Sequence, residues 1–221
     1  STGLAVRLSL LSAGIWWGGV AFITFALLKS RPAKRNLPPG KSYLSAGFSE
    51  LGATVKELRR LPLTARYLLG YLIYNDGIQT VIVAASTFLE QELFPGRGNP
   101  TFLLEIFLMV QFVAVAGALL FERLAYLINT KNAIIVSLVI WSGIVIYANR
   151  FLDTVPEAWV MAGVIAIVLG GSQALSRSLF SKMIPAGKEA SFFGLYEVSE
   201  RGTSWMGPLL FSLVVSRTGS Y

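Results

Sequence analysis

The sequence contains no cysteine and no histidine. The first absence excludes disulfides and thiolate metal sites; the second removes imidazole acid–base chemistry and the commonest metal ligand. No phosphate-cradling glycine loop ending in Gly-Lys-Ser/Thr occurs, and with histidine missing no histidine-based nucleophile–base arrangement is present. No enzyme class, cofactor or metal is therefore indicated. Charge is also scarce: 14% of the 221 residues are Asp, Glu, Lys or Arg, against 54% hydrophobic. A soluble domain is usually about a quarter charged, so this deficit points to lipid as the solvent.

What is present is a series of long apolar runs. Segments 8–28, 67–90, 102–122, 132–149, 157–178 and 191–216 each approach the roughly 20 helical residues that cross a bilayer. The expected fold is all-α and polytopic, with six transmembrane helices. The first run shows no small-residue cleavage site and reads as a span rather than a signal peptide. The chain opens on Ser1 within a few residues of that run, and reads as a fragment.

Net charge is +7, and nine of the nineteen Lys and Arg residues fall between positions 29 and 66. Basic-rich and basic-poor connections alternate along the chain. The 29–66, 123–131 and 177–190 connections are basic, whereas Phe94-Pro95-Gly96-Arg97 beside Glu90 and Glu92, and Arg150 with Asp153, are not. The positive-inside rule assigns the basic connections to the cytoplasm. This placement suits anionic lipid and argues against nucleic acid as a partner.

In the longest connection Pro38-Pro39-Gly40 breaks the chain. Leu44, Phe48, Leu51, Val55 and Leu58 then recur on one helical face, with Lys56, Arg59 and Arg60 elsewhere. Two readings fit equally: an amphipathic helix on the cytoplasmic membrane surface, or a short helix packed under the transmembrane bundle.

Polar residues inside the apolar runs are the candidate site. In YLIYNDGIQT (71–80), Asn75 and Gln79 share a face, Thr80 stacks above Asp76, and Tyr71 and Tyr74 border them. An ionisable residue at mid-span is costly, so Asp76 should face a bundle interior or a wet cavity. It marks either a solute or proton site or a buried hydrogen-bond cluster that pins helices. Asn-Asp-Gly is alternatively a break in the helix. In FFGLYEVSERGTSWMGPLLF (192–211), Glu197 and Arg201 are spaced to pair within the helix. Glu200 then meets a cation on another helix, carries a proton or lies near water; snorkelling of all three charges at the cytoplasmic end is the competing reading. Gly207-Pro208 should bend this helix. In LGGSQALSRS (169–178), Gly170 and Gly171 permit close helix approach, while Gln173 and Arg177 share a face; Arg177 either binds an anion or marks the interface. Glu105 is expected near the outer surface, and Trp16-Trp17 is expected to pack.

Three stretches, RYLLGYLIYNDGIQTV, GGSQALSRSLFSKMIP and EASFFGLYEVSERGTSWMGPLLF, resemble in order and spacing the second half of the unknown-major-facilitator family. This is the vacuole-effluxer-like branch of the major facilitator superfamily. The resemblance implies helices six to eleven of a twelve-helix permease. Residues 1–30 would be the last helix of the N-terminal half, and 31–66 a cytoplasmic linker. Residues 67–221 would be the C-terminal half lacking its last helix. It further implies partnership with the missing N-terminal half, the bilayer and a small solute, and rocking of two bundles around a midplane site. Members are permeases, and fungal relatives are implicated in amino-acid efflux from the vacuole. The membrane would be the cytoplasmic membrane of a bacterium, or the vacuolar membrane in a fungus. On that frame Asp76 is a candidate for proton coupling or for a solute amino group, and Arg201 for a carboxylate or for holding Glu197.

Two departures stand out. GALLFERLAYLINTKNA has Tyr126 and Leu127 where the superfamily's loop signature carries an acidic–basic pair, and Asn129 where glycine is common. This argues against the charge latch usually attributed to that loop. Glu200 also stands where a small residue is expected. A non-transporting scaffold reusing the fold, and a channel-like pore with saturation-free flux, are the competing functions.

Overall fold

The computed structural model describes residues 2–28, 42–93, 99–203 and 205–218, and all described regular structure is helical. Eight helices follow in order: α1 (Thr2–Leu27), α2 (Tyr43–Leu58), α3 (Pro62–Leu93), α4 (Pro100–Ile128), α5 (Thr130–Phe151), α6 (Val155–Ser181), α7 (Glu189–Thr203) and α8 (Met206–Thr218). Pro38-Pro39-Gly40, the basic residues from Lys29 to Lys41 and the Phe94–Arg97 turn lie outside the described residues. The chain divides into two compact units, Ser1–Ala46 and Gly47–Tyr221.

Among the described residues, five helices are long and apolar enough to cross a membrane: stretches of α1, α3, α4, α5 and α6. Segment 191–216, expected as a sixth span, contains two shorter helices, α7 ending at Thr203 and α8 beginning at Met206. Pro208 accounts for the position of the break: it has no N–H to offer the carbonyl four residues earlier, and its ring crowds that group. The damage therefore falls one turn upstream of the proline rather than at it.

Helix ends follow local chemistry and explain why the helices outrun the apolar cores seen in the sequence. Asn99 caps α4 through its side-chain oxygen, which accepts from the Phe102 N–H at 3.1 Å, with Pro100 in the first turn. Glu157 folds back to accept the N–H groups of Asp153 and Thr154, at 3.0 and 2.9 Å, at the start of α6. Asn129 ends α4 and starts α5, and its side chain accepts from the Asn132 N–H at 3.0 Å. Its φ of 69° is a conformation that suits glycine and asparagine. The asparagine at this glycine-typical position thus keeps the turn and adds a cap. Asn129→Ala should cost about 1 kcal/mol and Asn129→Gly only a few tenths, readable from melting temperatures in detergent.

Within Gly47–Tyr221, α4 and α6 make the closest contact. A Cβ on Gly117 would lie 2.3 Å from the Ile167 carbonyl oxygen, and one on Gly170 would lie 1.9 Å from that of Ala114. Gly171 lies equally close under the Phe121 ring. The glycines thus let two backbones touch, which is how helices gain contact in lipid. One apolar cluster joins Ile78, Phe102, Ile106, Trp141, Ile144 and Met161 across α3 to α6. A second joins Leu68, Tyr71, Phe180, Phe192 and Tyr196, tying α3 to α6 and α7.

Helix α2 packs through Leu51 and Leu58 against that second cluster, with Thr54 buried between them. Leu44, Phe48 and Val55, expected on the same helical face as Leu51 and Leu58, are exposed. The apolar stripe is real, but the helix docks by one edge of it. Trp16 and Trp17, expected to pack, are also exposed on α1.

Candidate functional site

Tyrosines of α3 recur at 67, 71 and 74, one helical face directed at α6 and α7. Tyr67 donates its hydroxyl to the Ser176 carbonyl at 2.8 Å, and the Tyr74 hydroxyl meets the Ser176 hydroxyl at 2.6 Å. Tyr71 donates to a Glu200 carboxylate oxygen at 2.8 Å, and its ring stacks on Tyr196 with centroids 4.3 Å apart. These links join three helices by hydroxyl groups inside an apolar packing, where each is worth more than in water.

Glu200 reaches Arg177 of α6 at 3.5 Å, and Arg177 reaches Glu197 at 3.2 Å. Glu197 in turn meets Arg201 at 3.5 Å, one turn on. Two guanidinium groups and two carboxylates thus alternate in a neutral chain. Its two ends differ most in exposure: the Glu200 side chain is 16% exposed and Arg201 85%. Of the three readings for Glu200, the cation on another helix holds. The expected pairing of Glu197 with Arg201 is present. Tyr71 lies about 13 Å along α3 from Pro62 at 1.5 Å per residue, so the Tyr71–Glu200 contact sits well inside a bilayer-length helix.

Asp76 faces the break. One of its carboxylate oxygens accepts the Gly207 N–H at 3.2 Å. Gly207 stands in the first turn of α8, where backbone N–H groups have no partner within the helix and the macrodipole is positive. A carboxylate on α3 therefore caps a helix that starts in mid-segment. The fit is tight: a Cβ on Gly207 would lie 1.7 Å from the Thr80 hydroxyl oxygen and 3.0 Å from Asp76 Oδ2. Thr80 donates to the Asp76 carbonyl at 2.7 Å, as stacking one turn apart predicts.

The other expected residues are less engaged. Asn75 is buried, and its amide nitrogen has no hydrogen-bond partner among the described residues. Gln79 is half-buried and Gln173 exposed. An almost wholly apolar recess of about 280 Å³ adjoins Thr80, lined by Ala84, Phe88, Ile144, Met161 and Phe211 among others. A larger cleft at the α4–α5 turn, beside Glu122, Arg123 and Lys182, is lined by none of the expected site residues. Sequence reasoning missed Tyr67, Ser176 and Tyr196 and gave Gly207 only a bend. The available signal was the spacing of the tyrosines and the Ser172/Ser176 pair four apart.

Spanning helices, glycine-mediated contacts and a neutral ion-pair chain between helices define an integral, multi-pass, all-α membrane protein. The whole chain, residues 1–221, matches the family model described as vacuole effluxer Atg22 like, and the chain belongs to that family. It is 31% identical to the "Uncharacterized MFS-type transporter YxiO" of Bacillus subtilis over 99% of this chain and 49% of the relative. Against "Autophagy-related protein 22" of Yarrowia lipolytica, identity is 31% over 99% of this chain and 41% of that protein. The Eremothecium gossypii protein of that name is 30% identical over 96% of this chain and 44% of its own length. The chain thus spans somewhat under half the length of these relatives. No solved structure matches it.

Proposed function

We propose that the chain forms part of a secondary active transporter that moves a small solute by alternating access, coupled to an ion. Amino acids are the first solute class to test. In this reading the chain supplies helices six to eleven of a twelve-helix fold, with the 31–66 segment as the cytoplasmic link between halves. The observation that carries the reading is the contact of Asp76 with the first turn of α8. A broken helix whose terminus meets an intramembrane carboxylate is a site where binding and bending are coupled. Arg177, Glu197, Glu200 and Arg201 form the adjoining charged wall. Protonation of Asp76, or a solute amino group placed against it, would weaken its hold on Gly207 and free α8 to move relative to α3.

One observation favours the scaffold reading: the four charged residues of α6 and α7 satisfy one another, as a purely structural role requires. Against it, the Asn75 amide nitrogen is buried without a partner among the described residues. Buried polar groups are normally paired, and this donor suits a state or a ligand that pairs it. The full-length protein in proteoliposomes separates the readings. Uptake of an amino-acid panel, with and without a proton gradient, should be saturable and should fall at least about tenfold in Asp76→Asn. Unchanged uptake in Asp76→Asn and Arg201→Ala would remove the site, and no uptake of any solute by the parent protein would favour the scaffold.

A further inference from the structure

The geometry of α2 carries an inference that does not depend on whether the chain transports. Helix α2 segregates its charge. Both of its acidic residues lie on the docked edge: Glu57 pairs with Lys188, and Glu50 accepts from the Ser191 hydroxyl at 3.2 Å. Its basic residue Lys56, and Arg59 and Arg60 in the turn that follows, are exposed. The apolar side chains divide likewise. Leu51 and Leu58 enter the core, whereas Phe48 remains 73% and Val55 41% exposed. At 100° per residue, Phe48, Val55 and Arg59 follow one another along a single free edge.

Location makes that edge informative. A three-residue turn, closed by the Arg60 and Leu61 N–H groups bonding back to Glu57 and Leu58, connects α2 to α3. From Pro62 onward α3 has the length and composition of a membrane span. A helix joined so closely to the mouth of a span, and pinned to the loop before α7, stands at the level of lipid headgroups. There, an apolar edge bordered by cations is the composition that enters an interface and pairs with anionic phosphates. The acidic residues, which such a surface would repel, are those already used in docking.

We infer that the free edge of α2 is a docking surface for the anionic bilayer: Phe48 and Val55 enter the headgroup–acyl boundary while Lys56, Arg59 and Arg60 bind lipid phosphates. The linker helix would then be held between the bundle and the membrane. Its pull on α3 would depend on lipid composition.

The test uses the full-length protein in phosphatidylcholine nanodiscs with or without phosphatidylglycerol. This chain has no cysteine, so once any cysteine elsewhere in the full-length protein is replaced by serine, nitroxide labels can be attached one at a time at Phe48→Cys, Val55→Cys and, on the opposite exposed face, Ala53→Cys. Labels at 48 and 55 should collide more with oxygen than with a water-soluble nickel chelate, most strongly with phosphatidylglycerol present, and the label at 53 the reverse. Native mass spectrometry of protein released from the mixed-lipid discs should show retained phosphatidylglycerol. Each of Lys56→Gln, Arg59→Gln and Arg60→Gln should weaken that retention about fivefold. The inference is overturned if labels at 48 and 55 read as water like that at 53. It is equally overturned if they are shielded from both reagents, as contact with protein would make them, or if the three substitutions together leave lipid retention unchanged. Should Phe48→Cys fold poorly, the half-exposed Val55→Cys decides alone.

Discussion

Gly207→Ala is expected to separate α8 from α3, lowering stability by about 1–3 kcal/mol and abolishing any activity that needs the two helices in register. The methyl group would stand 1.7 Å from the Thr80 hydroxyl oxygen, closer than any real contact. Thr80 cannot simply rotate away at no cost, because its hydroxyl is tied to the Asp76 carbonyl one turn back. Pushing the helices apart would also stretch the 3.2 Å bond between the Gly207 N–H and the Asp76 carboxylate, leaving both groups short of a partner. The compensating change follows from the same geometry. Thr80→Ala removes the offending oxygen and leaves its own Cβ 3.0 Å from the new methyl, a distance that a shift of a few tenths of an ångström relieves. Thr80→Ala alone should lie within about 0.5 kcal/mol of the parent, since a threonine bonded back to its own helix adds little. The double variant should recover about 1–2 kcal/mol of the single variant's loss, a coupling measurable as a double-mutant cycle of melting temperatures in detergent. Additive effects would mean that α3 and α8 do not meet at this point.

That contact also shows how far the sequence alone reaches. Hydropathy and helical period are local, and they located the five long described helices, with nearly every end short by two to six residues; at Asn99 and Glu157 caps account for the two extra residues. The interruption before α8 was legible as Gly207-Pro208, since a proline injures the turn that precedes it. The stripe on α2 was legible too. Periodicity fixes which residues share a side of a helix, not which edge of that side another element will cover, and docking turned out to follow Glu50, Thr54 and Glu57 rather than Phe48 and Val55. Within a helix, Glu197 with Arg201 and Thr80 with Asp76 could be paired by counting. What could not be counted were contacts such as Tyr71 with Glu200, 129 residues apart, or Asp76 with Gly207. The sequence marked the carboxylate as out of place in lipid; only the packing of α3 on α8 gives it a partner.

Arg177→Gln is expected to be the most disruptive single change in the charged chain, and the comparison with Arg201→Gln makes the argument. Arg177 meets both carboxylates, at 3.2 and 3.5 Å, and it is half-exposed. Arg201 meets Glu197 alone and is 85% exposed, so water and salt screen it and its loss should cost less than about 1 kcal/mol. Removing Arg177 takes away a guanidinium 3.5 Å from Glu200, at a position where only 16% of the Glu200 side chain meets solvent. Tyr71 still donates a hydrogen bond to that carboxylate, but a neutral donor does not replace a charge-assisted contact. The loss should be about 2–3 kcal/mol, within the range for charged hydrogen-bonding partners and below that for fully buried pairs, because half of Arg177 is already wet. Glu200→Gln keeps the shape and the bond from Tyr71 while deleting the charge that Arg177 balances. The Arg177→Gln/Glu200→Gln double variant should therefore be more stable than Arg177→Gln alone. If thermal denaturation instead gives equal losses for Arg177→Gln and Arg201→Gln, with no recovery in the double variant, Glu200 is hydrated rather than held by α6. In that case the charges behave as snorkelling residues at a membrane surface and do not form a wall of the transport site.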